Sequence, residues 1–271
     1  MTYKISFQGL AKLNTRLKIL DIWVDPVDRQ EAIARVEEFM RKGKRPHTVF
    51  AANPEKNFSV PKDPTLYETF KNADLLLPDG IGIVWAARIL FGVRLARIPG
   101  SEFIFDICRL AAINGCGIFI YGAKEEANKA AVNRLKKQFH DLKIAGRCNG
   151  YISKANMPDL INRINESRAE VLFLALGSPK QENWFAKYHR ELKYVKVCQC
   201  IGGTLDTIAG NVKRAPEIWQ KSSLEWFYRL IIEPRRIKRQ KVLPFFVFSV
   251  FRLKLKHLIE RYLFKTLKTS L

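Results

Sequence analysis

An aspartate stands between Pro78 and Gly80 in the run Leu77-Pro78-Asp79-Gly80-Ile81-Gly82, directly behind the apolar stretch Leu75-Leu76-Leu77. A carboxylate where a buried strand gives way to a helix has two uses. It caps the helix that follows, or it is a base aimed into a cleft. Four other polar loops follow apolar runs in the same way: Asn53-Pro54-Glu55-Lys56, Tyr121-Gly122-Ala123-Lys124, Gly177-Ser178-Pro179-Lys180-Gln181-Glu182 and Gly202-Gly203-Thr204-Leu205-Asp206. Arg97 and Gly150-Tyr151 fall between them. Each has a plain structural reading: Ser178-Pro179-Lys180-Gln181 as a helix start with Pro in its first turn, Gly202-Gly203 as a turn, Arg97 as a surface cation. A scaffold has no need to place polar groups behind nearly every strand, however, and open α/β sheets bind ligands outside the carboxyl ends of their strands. The amides that open the helix after Gly122 suit a phosphate.

The elements that must hold these loops alternate. Residues 48–52, 75–77, 117–121, 142–146, 171–176 and 195–201 read as strands. Residues 63–72, 82–90, 100–114, 124–139, 156–167 and 180–192 read as helices. Strands that are apolar throughout, rather than at alternate positions, belong to a parallel sheet covered on both faces. The expected fold is therefore α/β and Rossmann-like, with a catalytic domain over residues 1–213. From Lys213 onward the character changes to fifteen Lys/Arg against four acids, interleaved with aromatics as in Leu224-Glu225-Trp226-Phe227-Tyr228-Arg229. Residues 214–271 read as a basic amphipathic helical appendage.

Composition narrows the partners. A net charge of +21 favours an anionic one: nucleic acid, a membrane surface or a phosphorylated ligand. The five cysteines have no disulfide or zinc spacing and read as reduced core residues. No signal peptide and no membrane-spanning run is expected; the best candidate, residues 242–251, is short and contains Pro244. There is no Asp-x-Asp pair, no Walker loop and no Gly-x-Gly-x-x-Gly behind a strand, which speaks against ATPase and dinucleotide chemistry and against the metal pair of many nucleotide-sugar transferases. None of His47, His140, His189 and His257 occupies a strand-end loop that suits catalysis. A nucleic-acid-binding protein would spread its charge over a face with stacking aromatics; here the excess is gathered in one apolar-rich segment.

Taken together, the loops resemble the WecG/TagA/CpsF family, glycosyltransferase family 26. The motifs are "NPEK" at 53–56, "PDGIGIVWA" at 78–86, "RIPGSE" at 97–102, "YGAKEEA" at 121–127, "NGY" at 149–151, "ALGSPKQE" at 175–182, "GGTLDTIAGNVKRAP" at 202–216 and "LEWFYRLIIEPRRIKR" at 224–239, in order over about residues 18–245. The resemblance implies an inverting, metal-independent transferase without a cofactor. It would move an N-acetylmannosamine-type sugar, or its uronic acid, from a UDP donor to a polyprenyl-diphosphate-linked sugar. It implies Asp79 as general base, with Gln181, Arg97 and Asn53 in the catalytic pocket. Gly80, Gly122, Tyr151, Gly177, Lys180, Gly202, Gly203 and Asp206 would hold the uridine, diphosphate and sugar. Arg229, Arg236 and Arg239 of the appendage would close over the leaving diphosphate.

One departure bears on the donor. Ala51-Ala52-Asn53 stands where many members have Thr-Pro-Asn, so the Thr hydroxyl is absent. The departure leans toward a donor other than plain N-acetylmannosamine, with another hexose or glucuronic acid as the alternative. Lys56 is read either as a solvated lysine or as a partner for a donor carboxylate. A lipid acceptor gives the appendage its reason: Arg235, Arg236, Lys238, Arg239 and Lys241, then Phe245, Phe246, Phe248 and Phe251, suit anionic headgroups and shallow insertion. The expected place is the cytosolic membrane face, with homo-oligomers as a further expectation of the resemblance and no nucleic acid. A catalytically dead scaffold of this fold would lack Asp79 or Gln181; both are present.

Overall fold

The computed structural model describes residues 15–212, 215–216, 218–219, 225–232, 234 and 237–269. Its centre is a six-stranded sheet in the order β4-β3-β8-β7-β5-β6, parallel throughout. The strands are β3 (His47–Ala52), β4 (Leu75–Pro78), β5 (Ile118–Gly122), β6 (Ile144–Cys148), β7 (Val171–Ala175) and β8 (Val197–Cys200). β4, β5, β7 and β8 are buried at every position, as the unbroken apolar runs require of a sheet with helices on both sides. β6, the edge strand, carries Ala145, Gly146 and Arg147 and is only partly covered; it starts two residues later than its sequence suggests.

Two apolar layers flank the sheet. On one side lie α1 (Arg29–Lys42), α5 (Gly100–Ile113), α6 (Glu125–Gln138) and α9 (Thr204–Ile208). On the other lie α2 (Lys56–Ser59), α3 (Pro64–Lys71), α4 (Ile81–Phe91), α7 (Met157–Glu166) and α8 (Lys180–Tyr188). Beside the short helices α2 and α9, an N-terminal hairpin and a long helix escape the sequence reading. The antiparallel hairpin β1 (Leu17–Ile19) and β2 (Ile22–Val24) buries Leu17, Ile19, Ile22 and Val24 in the second layer. Helix α1 starts at a capping box, in which the Asp28 carboxylate accepts from the Glu31 amide and the Glu31 carboxylate accepts from the Asp28 amide.

The chain beyond the sheet forms α10 (Glu225–Ile232), α11 (Ile237–Gln240) and the long α12 (Leu243–Thr269). At 27 residues, α12 is about 40 Å long. Phe246 and Val250, one turn apart, are buried against α4, and Phe246 lies over Gly82. The opposite side shows Phe245, Phe248, Phe251, Leu255, Leu258 and Tyr262, each at least half exposed. Among the described residues, no helix is long and apolar enough to cross a membrane.

The amino ends of β3 and β4 are tied by Asp74. Its carboxylate accepts from the Thr48 amide at 2.9 Å, from Arg45 and from His47 Nδ1 at 3.1 Å. Partial burial would raise its pKa, but the Arg45, Thr48 and His47 bonds outweigh burial and hold it below the ordinary value. A carboxyl depressed in the fold adds stability that is present above its unfolded pKa of about 4 and is lost as pH falls through the folded value. The stability gap between native protein and Asp74→Asn therefore shrinks as pH drops below about 4, as urea melts across pH would show; a gap independent of pH would remove Asp74 from the acid response.

Candidate active site

The strand order sets the site. From β3 the chain leaves toward β4, whereas from β8 it passes to α9, which packs beside α6. β7 leads back to β8, while β5 leads outward to β6. Loops departing in opposite directions open a crevice at the carboxyl ends of the strands. Along that edge the strand-end residues stand in the order Asp79, Asn53, Gly202, Gly177, Gly122, Asn149. With neighbouring strands about 4.8 Å apart, the four steps from β4 to β5 span roughly 19 Å.

At the β4 end, Asp79 does not cap the helix that follows it. Gly80 stands at the N-cap of α4, ahead of its first residue Ile81, with no side-chain cap. The Asp79 carboxylate instead accepts from the amide of Gly100, the first residue of α5, at 3.1 Å. The loop residues 92–99 fold back along β4 and bring that amide alongside, with the Ile98 amide on the Pro78 carbonyl. Asp79 thus caps a different helix from the one expected, and its side chain is partly exposed at the carboxyl end of β4. Gly80 is required by close approach. A Cβ there would lie 2.7 Å from the Pro54 ring and 3.1 Å from Asn53, so the β3 and β4 loops touch. Arg97 donates through Nε to the Asp79 carbonyl at 3.0 Å and through Nη2 to Glu225 on α10 at 3.4 Å. It is no isolated surface cation; it ties the appendage to the Asp79 loop.

In the middle of the row, Gln181 is buried in the first turn of α8. Its Oε1 accepts from the Gly202 amide at 3.0 Å, joining the β7 and β8 loops. Lys56 departs from the solvated reading of its sequence. It is 6% exposed, its Nζ lies 2.5 Å from Glu182 Oε1, and it donates to Ser178 Oγ. Glu182 itself was not among the candidates; as an acid next to the helix start it looks like any first-turn glutamate.

At the β5 end, Gly122 is held at φ +130°, and a Cβ would meet the Ala175 carbonyl carbon at 2.4 Å. Only glycine lets these loops approach so closely. The Ala123 amide donates to Ala175 and the Gly150 amide to Ala123, so the β5, β6 and β7 loops form one unit. Asn149 Oδ1 accepts from the Tyr151 amide at 3.0 Å, shaping the turn that leaves Tyr151 74% exposed at the rim. Gly203 and Lys180 are exposed and Asp206 is half-buried on α9. Arg236 lies outside the described residues; Arg229 and Arg239 lie on α10 and α11.

Comparison with known proteins converges on one group. A family model described as "Glycosyl transferase WecG/TagA/CpsF family" matches residues 17–260. The chain is similar to the N-acetylglucosaminyldiphosphoundecaprenol N-acetyl-beta-D-mannosaminyltransferase of Bacillus subtilis (strain 168), with 33% identity over 204 residues, covering 75% of this chain and 78% of the relative. It is equally similar to the enzyme of the same name from Bacillus spizizenii, at 33% identity over the same shares.

Proposed function

The chain belongs to the WecG/TagA/CpsF glycosyltransferase family, and from that premise we propose that it transfers an N-acetylmannosamine-type sugar from a UDP donor to a sugar on polyprenyl diphosphate. The observation that carries this reading is the Asp79 carboxylate at the end of β4, fixed by an α5 amide and flanked by Arg97. The Gly100 amide holds one oxygen of this carboxylate in place at the carboxyl end of β4.

In the proposed step, the acceptor hydroxyl oxygen attacks the anomeric carbon while its proton passes to Asp79. The bond from that carbon to the diphosphate oxygen breaks, and UDP departs with the bonding pair. Attack opposite to the departing group inverts the anomeric centre. Negative charge grows on the diphosphate, where Arg229, Arg236 and Arg239 would meet it. The chain has no Asp-x-Asp pair for a metal to do that work. Gly122, Tyr151, Gly202, Gly203 and Asp206 would hold the nucleotide, Gly80, Gly177 and Lys180 its diphosphate and sugar, and Asn53 and Gln181 the reacting centre. The lipid acceptor brings the enzyme to a membrane surface, which the exposed aromatic side of α12 would enter. The alanine at position 51, where many members of the family have Thr, leans toward a uronic acid or another hexose over plain N-acetylmannosamine.

The test is transfer to synthetic polyprenyl-diphosphate-N-acetylglucosamine from a panel of UDP-sugars, with EDTA present and mass spectrometric detection. One added sugar residue is the expected product, and the donor that supplies it is named directly. A folded protein that binds no UDP and transfers from none of the donors would refute the reading.

A further inference from the structure

Three loops of the crevice are joined by one buried chain of polar groups. Lys56 from the β3 loop bonds Ser178 and Glu182 from the β7 side, with its Nζ 5.0 Å from the Phe70 ring centre. Gln181 Nε2 donates to the same Glu182 oxygen at 3.4 Å, and Gln181 Oε1 accepts from the Gly202 amide of the β8 loop. Lys56, Gln181 and Glu182 are 6%, 5% and 1% exposed. The neighbours fix which way the Gln181 amide faces. A carboxylate only accepts and a backbone N–H only donates, so nitrogen must face Glu182 and oxygen must face Gly202. A charged Glu182 so deep in the protein needs a cation, and Lys56 supplies it.

We propose that Lys56 and Glu182 are positioning residues, a buried ion pair that orients Gln181 and through it the Gly202 turn. The pair touches no substrate. Its product is one orientation of one amide, and through it a fixed place for the β8 loop in the crevice. This rests on the transfer reaction proposed above as far as turnover is concerned, but its structural half stands without it.

Single substitutions would strand a buried charge and destabilise the fold for that reason alone, so the informative variant is K56M/E182M, which removes both charges and keeps the volume. Hydrogen exchange of the native chain and this variant is measured amide by amide. The Gly202 amide is expected to exchange at least tenfold faster while those of Phe173 and Gln199, inside β7 and β8, stay as slow as before. K56M/E182Q, whose amide oxygen again accepts from Gln181, is expected to restore protection at Gly202. Unchanged exchange at Gly202, or acceleration spread equally over the sheet, overturns the proposal. In the transfer assay the double variant is expected to lose at least tenfold in kcat with little change in donor KM, and a Gln181→Ala background should abolish that loss; a loss that persists there also overturns it. Should the native chain neither bind UDP nor transfer from any donor, the reaction is refuted, while the exchange result still decides the role of the pair.

Discussion

Replacing Asp79 by Asn is expected to lower kcat by at least about 100-fold, the lower end of what a positioned general base contributes. The substitution is chosen for what it leaves intact. The amide oxygen of Asn can still accept from the Gly100 amide, so the cap on α5 survives. Arg97 bonds the backbone carbonyl of residue 79, which is unchanged. UDP affinity and melting temperature should therefore stay near native values while turnover collapses. Asp79→Ala is the contrasting variant: it also removes the acceptor at the start of α5 and should cost about 1 kcal/mol of stability. Full turnover in Asp79→Asn would end the assignment of this carboxylate as the base.

The second large effect concerns α12. Replacing Phe245, Phe248 and Phe251 together by Ser is expected to weaken binding to anionic vesicles by roughly 100-fold. Burying a phenylalanine fully is worth about 1.5–3 kcal/mol, and three rings buried in part give about 3 kcal/mol, or two powers of ten. These rings are 65%, 67% and 57% exposed, whereas Phe246 on the other side is 3% exposed against α4. The triple variant should thus fold normally and still transfer sugar to a water-soluble, short-chain acceptor. Binding to neutral vesicles should be weaker from the outset, because basic residues near an anionic surface add about 1 kcal/mol each. Vesicle binding that survives the triple substitution unchanged would place the membrane contact elsewhere.

The residues that were legible in the sequence, and those that were not, differ for physical reasons. β5 and β7 are unbroken apolar runs ended by glycines, and the parallel sheet follows from them. The loop residues could be picked out because a polar group behind a buried strand has few structural excuses. The β1–β2 hairpin was hidden because its strands are three residues each, too short for a period to show. The direction of the Asp79 carboxylate was hidden because its partner, Gly100, is 21 positions away and arrives only through the return of residues 92–99. The Lys56–Glu182 pair spans 126 positions. Nothing local distinguishes a lysine that will be buried from one that will be solvated. What a sequence displays is the chemistry each loop carries; which loops meet is decided by strand order.

That strand order has a consequence for selectivity. Asp79 and Gly122 are set four strands apart by backbone hydrogen bonding alone, a spacing no side-chain substitution alters. The edge of the sheet behaves as a gauge of molecular length. A short sugar phosphate can occupy one end of it but cannot reach the other, and only an extended molecule engages both at once. Discrimination against abundant small phosphosugars would then be written into the hydrogen-bonded frame of the protein, leaving the loop side chains to choose among donors that are already long enough.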